Sequence, residues 1–178
     1  GDTLAQIAAE KAGIIKHGTA LVLESQEKEA MDVLKQAAER ADIKTTKVVN
    51  WDEIKILPQK DGKQCFSYAG YDAVTMKMLG VHQYENAVAA MLAAELFFEK
   101  YFAGKKNVPE RKALQYAIRE GIDRTQWMGR MELVSNDPFF LMDGAHNSNG
   151  VEALKKSLET MYPDEKFHFI MGVMADKD

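Results

Sequence analysis

Asp143 closes an apolar run, Phe139-Phe140-Leu141-Met142, and is followed by Gly144-Ala145-His146-Asn147 at the head of a helical pattern. Ligands of open α/β sheets sit just beyond the carboxyl ends of strands. A carboxylate in that place can accept hydrogen bonds from ribose hydroxyls, and His146 with the helix amino end could face phosphate. The same residues have a plainer use, because Asp143 or Asn147 is also a good helix cap. Arg130 opens a strand after Gly129, and its planar fork suits phosphate oxygens, although an arginine there is equally an ordinary surface residue. Lys11 falls on an apolar helix stripe with Leu4, Ile7, Ala8 and Ile14/Ile15. Such a face holds the amine partly out of water and favours its neutral, reactive form; the alternative is a lysine that snorkels outward and complements the negative helix end near Gly13.

Other residues say less. His82, Gln83 and Asn86 sit in the first turn of a helix, where they read as capping and solvated side chains. Asp176 and Lys177 repeat the strand-end pattern. The four histidines show no H-E-x-x-H or other metal spacing. No G-x-x-x-x-G-K-[ST] occurs: Gly62-Lys63 and Gly104-Lys105 lack both the upstream glycine and the following Ser/Thr. Met91, Phe97, Phe98 and Leu114 read as core.

The elements that must position these residues follow from pattern. A capping box, Thr3-x-x-Gln6, opens a helix that ends at Gly13. Thr19–Glu24 reads as a buried strand, and Ser25 can cap an amphipathic helix over 26–41. A short strand is expected at Thr45–Asn50, and a hairpin over 53–70 around Lys60-Asp61-Gly62. Ala73–Leu79 could form a further strand, His82–Tyr101 a strong helix, and Pro109 the opening of a helix reaching about Glu120. Beyond 124 the pattern becomes β-β-α-β: Arg130–Val134, Phe139–Met142, helix Gly150–Met161, then Lys166–Val173, with the helix joining parallel neighbours. These features define an α/β protein with a domain boundary near 124, giving domains 1–123 and 124–178.

At 178 residues and 46% hydrophobic, the chain can bury a core in one domain or parts of two. Its 23 basic and 27 acidic residues are well mixed, net charge -4, so a nucleic-acid partner is not expected. The single cysteine, Cys65, excludes an intrachain disulfide framework and fits a reducing, cytoplasmic setting. No apolar run approaches a membrane span, and no export leader is visible. Both ends run directly into patterned segments and read as cuts through a larger protein.

Taken together, the scattered residues resemble the folylpolyglutamate synthase / dihydrofolate synthase family of the Mur-ligase superfamily. Gly1-Asp2-Thr3-x-x-x-Ile7-Ala8-x-Glu10-Lys11-Ala12-Gly13-Ile14-Ile15 is similar to the family's G-x-T-x-x-x-I-A-x-E-K-A-G-I-I. His82-Gln83-x-x-Asn86-Ala87 resembles H-Q-x-x-N-A, and Gly129-Arg130-x-Glu132 the end of P-G-R-x-E. Asp143-Gly144-Ala145-His146-Asn147 matches D-G-A-H-N, and Gly172-Val173-x-Ala175-Asp176-Lys177-Asp178 is like G-V-x-A-D-K-D. The motifs stand in the family's order along the whole chain.

The resemblance implies the carboxy-terminal half of a Mur-ligase-type central ATPase domain, followed by the start of a Rossmann-like domain. It implies an ATP- and Mg²⁺-dependent ligase that phosphorylates a folate or dihydropteroate carboxylate and couples it to L-glutamate. Lys11 would be the superfamily's carbamylated, metal-side lysine. Asn86 would be adenine-side, Arg130 phosphate-side and Asp143 ribose-side, with His146 near the reacting phosphate and glutamate. The family's P-loop and a metal-binding histidine would lie upstream of Gly1. Met128, Ser148 and His17 stand where the family usually has proline, which alters loop stiffness and no functional side chain. A cell-wall Mur ligase fits less well at Asp143–Asn147, and a folded module without turnover is the rival of another class.

Overall fold

The structure is a computed structural model that describes residues 3–18 and 20–172. In chain order the elements are α1 (Leu4–Ala12), β1 (Leu21–Leu23), α2 (Lys28–Arg40), β2 (Thr46–Val48), a 3-10 turn at Trp51–Glu53, β3 (Lys55–Lys60), β4 (Lys63–Tyr68), β5 (Tyr71–Met76), α3 (Gln83–Phe102), α4 (Arg111–Arg124), β6 (Glu132–Asn136), β7 (Phe139–Met142) and α5 (Ser148–Met161). The chain is α/β. It divides into two compact units, one running to Ile54 and joined by Glu85–Ile118, the other made of Lys55–Tyr84 and the chain from Arg119 onward.

In the first unit Thr3 caps α1 as expected, its hydroxyl accepting from the Gln6 amide at 3.2 Å. α1 and α2 meet through small residues, Ala8 and Ala12 on one helix and Ala37 and Ala38 on the other. This corrects the stripe reading: Leu4 (46%) and Ile7 (42%) are exposed, and so is Lys11. The alanine edge that α1 buries lies about a quarter-turn round the helix from Lys11, so the amine is not desolvated. Ser25 does not cap α2 either. The helix starts at Lys28, and its N-cap, Glu27, gives no side-chain capping bond. β1 and β2 pair in parallel across α2, Leu21 opposite Thr46. Along α3, Ala87, Val88 and Met91 are buried, whereas Phe97, expected in the core, is 69% exposed.

In the second unit β3, β4 and β5 form an antiparallel meander. The turn at Asp61-Gly62 has positive φ at both residues (52° and 72°), the two-residue hairpin geometry that Asp-Gly favours. Ala69-Gly70 repeats it at 46° and 83° before β5. β4 is the buried strand, with Phe66 at 0% exposure and Gln64 at 2%. The Gln64 amide is satisfied by the carbonyls of Met78 (2.9 Å) and Gly80 (3.1 Å), which hold the chain after β5 in place.

β6 and β7 pair antiparallel, Glu132 opposite Met142. Leu79, Met131 and Leu158 form a core cluster with Leu141, Leu154, Met161, Tyr162 and Phe167 around it. The expected strand from Lys166 does not form over 166–172, so no parallel pair flanks α5 among the described residues; Val173 lies outside them. Phe167 instead joins a ring cluster, 6.1 Å from Phe139 and 5.9 Å from Tyr162.

Candidate functional site

The second unit brings Arg130, Asp143 and His146 into one loop cluster at the ends of β6 and β7. Gly129 and Met131, on either side of Arg130, both have positive φ (71° and 45°). For a buried methionine that is an uncommon, strained backbone, of the kind that collects at functional sites. The neighbouring loops close on each other. The Gly144 amide donates to the Gly129 carbonyl at 2.7 Å, and the Gly129 amide to Glu132 Oε2 at 2.8 Å. A side chain at Gly144 would meet that carbonyl at 3.2 Å, so the approach suits glycine.

Asp143 clasps both loops, Oδ2 accepting from the Met131 amide and Oδ1 from the Ala145 amide, each at 2.8 Å. A carboxylate has about four lone-pair sites, so each oxygen keeps acceptor capacity for a ligand. The capping role falls to Asn147, whose Oδ1 accepts from the Gly150 amide at 2.8 Å. The two sequence readings of this stretch are thus divided between two residues. His146 is exposed, with Nδ1 2.9 Å from the Gly144 carbonyl. A carbonyl only accepts, so Nδ1 carries the proton of the neutral ring and Nε2 presents a lone pair. Arg130 is exposed.

His82 and Gln83 are less solvated than a first helical turn suggests. Gln83 is 7% exposed, and His82 is half-buried with a buried, unpartnered Nδ1. His82 Nε2 lies 3.0 Å from Gln83 Nε2. Burial holds the His82 imidazole below its ordinary pKa; the Arg130 charge adds to this and the Asp143 charge opposes it. The only sequence signal for this packing was Gly80, two residues earlier, since an isolated glycine after a strand marks close backbone approach.

Lys11 and Asn86, both exposed, belong to the first unit. Among the described residues no group of three or more His, Cys, Asp or Glu could hold a metal ion. None of the described helices is long and apolar enough to cross a membrane. The motif residues Gly1, Asp2 and Val173–Asp178, with Asp176 and Lys177 among them, lie outside the described residues.

Residues 129–178 match the Mur ligase, glutamate ligase domain. Over 186 aligned residues the chain is 32% identical to the dihydrofolate synthase/folylpolyglutamate synthase of Bacillus subtilis, covering 99% of this chain and 40% of the relative. A solved Mycobacterium tuberculosis folylpolyglutamate synthase complexed with ADP is 30% identical, with a TM-score of 0.68 over 89% of this chain and 35% of that one. The folylpolyglutamate synthetase of Lactobacillus casei shares the fold, with a TM-score of 0.73 at 23% identity over 91% of this chain and 40% of that one. The loop cluster lies within the stretch that matches the glutamate ligase domain, and the α/β frame is that of the Mur-ligase class. Within that class the chain belongs to the folylpolyglutamate synthase / dihydrofolate synthase family. It spans 40% of the length of the Bacillus subtilis and Lacticaseibacillus casei relatives it matches.

Proposed function

We propose that the protein carrying this chain is an ATP-dependent carboxylate–amine ligase that adds L-glutamate to folate or dihydropteroate through an acyl phosphate. The observation that carries the reading is Asp143, fixed at a strand end by two backbone amides with acceptor capacity left over, one loop from Arg130. Asp143 would accept from the ribose hydroxyls of ATP, Arg130 would neutralise charge on the transferring phosphoryl group, and Asn86 would face adenine. The lone pair at His146 Nε2 suits a group that takes a proton from the glutamate ammonium, which must become a free amine before it attacks. The domain boundary near 124 belongs to the same reading.

Mg²⁺ is expected for such a ligase, where it would neutralise phosphate charge. Exposed Lys11, with no His/Cys/Asp/Glu group of three among the described residues, does not make a metal site by itself. No step is assigned to it. The 178-residue chain holds no phosphate-cradling G-x-x-x-x-G-K-[ST] loop, so alone it is expected to leave ATP intact.

Steady-state kinetics of the full-length protein test the assignment. Asp143→Ala should raise the ATP KM, because ribose contacts hold in ground and transition states alike. Arg130→Ala should mainly lower kcat, because its contact strengthens as charge moves. Unchanged KM and kcat in both variants would refute the site.

A further inference from the structure

We propose that Ser157, on α5, is a positioning residue for Asp143, acting through Val81, Gly80 and Met131. The inference rests on the nucleotide-side reading of Asp143. Ser157 is fully buried, at 0% exposure, in a helix whose neighbouring core is apolar. Its hydroxyl donates to the Ala153 carbonyl at 2.7 Å, a bond within the helix that satisfies the proton. Its oxygen accepts from the Val81 amide at 3.0 Å, across 76 residues of sequence. Alanine would fill the same place in α5 at no cost to the helix, but it would leave the buried Val81 amide unpaired. The acceptor bond is therefore what a serine adds here.

The Val81 bond completes the hold on Gly80, whose carbonyl already accepts from the Gln64 amide at 3.1 Å and whose backbone is the tightest here. Gly80 has φ +111°, and a Cβ there would fall 2.9 Å from Met131 Sδ and 2.8 Å from His82 Cε1. Met131 thus seats its side chain against the bare Gly80 backbone. It is 1% exposed, and its left-handed backbone aims its amide at Asp143 Oδ2, 2.8 Å away. Such a backbone persists only when its surroundings over-determine it. The side chain is held at Gly80 and the amide at Asp143, so movement of the Gly80-Val81 segment releases one hold and misaims the other. Every link lies in the second unit.

Two readouts on the full-length protein test this. In steady-state kinetics Ser157→Ala should raise the ATP KM by about fivefold or more, the range of coupled sites, with kcat within about twofold of wild type. Val49→Ala, buried in the first unit and outside every link of this chain, should lower Tm and leave that KM in place. In hydrogen exchange, Ser157→Ala should speed exchange of the Met131 amide. Ser157→Cys, whose sulfur is a weaker acceptor in nearly the same volume, should give smaller shifts of both and serves if the alanine variant does not fold.

Asp143→Ala separates the two ideas. If it raises the ATP KM and the Ser157 variants do not, the positioning role is overturned while the nucleotide reading stands. If Asp143→Ala leaves the KM unchanged, the nucleotide reading fails. Faster Met131 exchange in the Ser157 variants then still upholds the link to Asp143, and unchanged exchange overturns it.

Discussion

Asp123 offers a direct test of how the second unit is held together. Its carboxylate accepts from Lys63 Nζ at 2.7 and 2.8 Å and from Thr75 Oγ1 at 2.6 Å, tying the end of α4 to β4 and β5. The Lys63 bond is the main reason its carboxyl is held below the usual carboxylate range, with Thr75 second. Hydrogen bonds to charged groups contribute about 1.5–3 kcal/mol each. The Asp123 and Lys63 side chains are 25% and 29% exposed, so water recovers part of that when the pair is broken. Asp123→Ala should therefore cost about 2 kcal/mol at pH 7, a urea midpoint shift of about 1 M for a slope near 2 kcal/mol/M. The pH dependence follows from the sign of the shift. A carboxyl with a lowered folded pKa contributes stability above its unfolded value of about 4, and loses it as pH falls through the folded value. The gap between wild type and variant should thus narrow from pH 7 to pH 3 in urea unfolding followed by fluorescence and circular dichroism. An equal gap at both pH values, or none at pH 7, would refute the charge-based account.

The His82 imidazole, held below its ordinary pKa by burial, should lower stability as pH drops from about 6.5 toward the folded value, because the unfolded chain binds the proton more readily. Unfolding at pH 7.5 and 5.5 should show wild type losing more stability than His82→Asn; equal losses would count against the buried ring. In the full-length protein, Lys11→Arg should abolish ligation if Lys11 works as a carbamate, since arginine keeps its charge and cannot form one. A fully active arginine variant would return Lys11 to the snorkelling role that its exposure suits.

The sequence by itself determined whatever depends on near neighbours. Thr3 and Asn147 cap their helices, and Asp61-Gly62 turns its hairpin, because each acts on amides or dihedrals within three residues. The run Phe139–Met142 became β7, and the order of the motifs carried the family. The placement of Asp143 at a strand end was legible for the same reason. What holds its carboxylate was not, since its Met131 partner is reached only when β6 folds back on β7. Helix periodicity put Lys11 on an apolar stripe, but burial depended on which edge α2 covers, and α2 covers the alanines. Phe97 and the 166–172 segment went the same way, their exposure and pairing fixed by what packs beside them. The links from Ser157 to Val81 and from Gly80 to Met131 join residues distant in sequence and leave no local pattern. Caps and turns are short-range energies written in adjacent residues, whereas burial and non-local hydrogen bonds exist only once the chain has closed on itself.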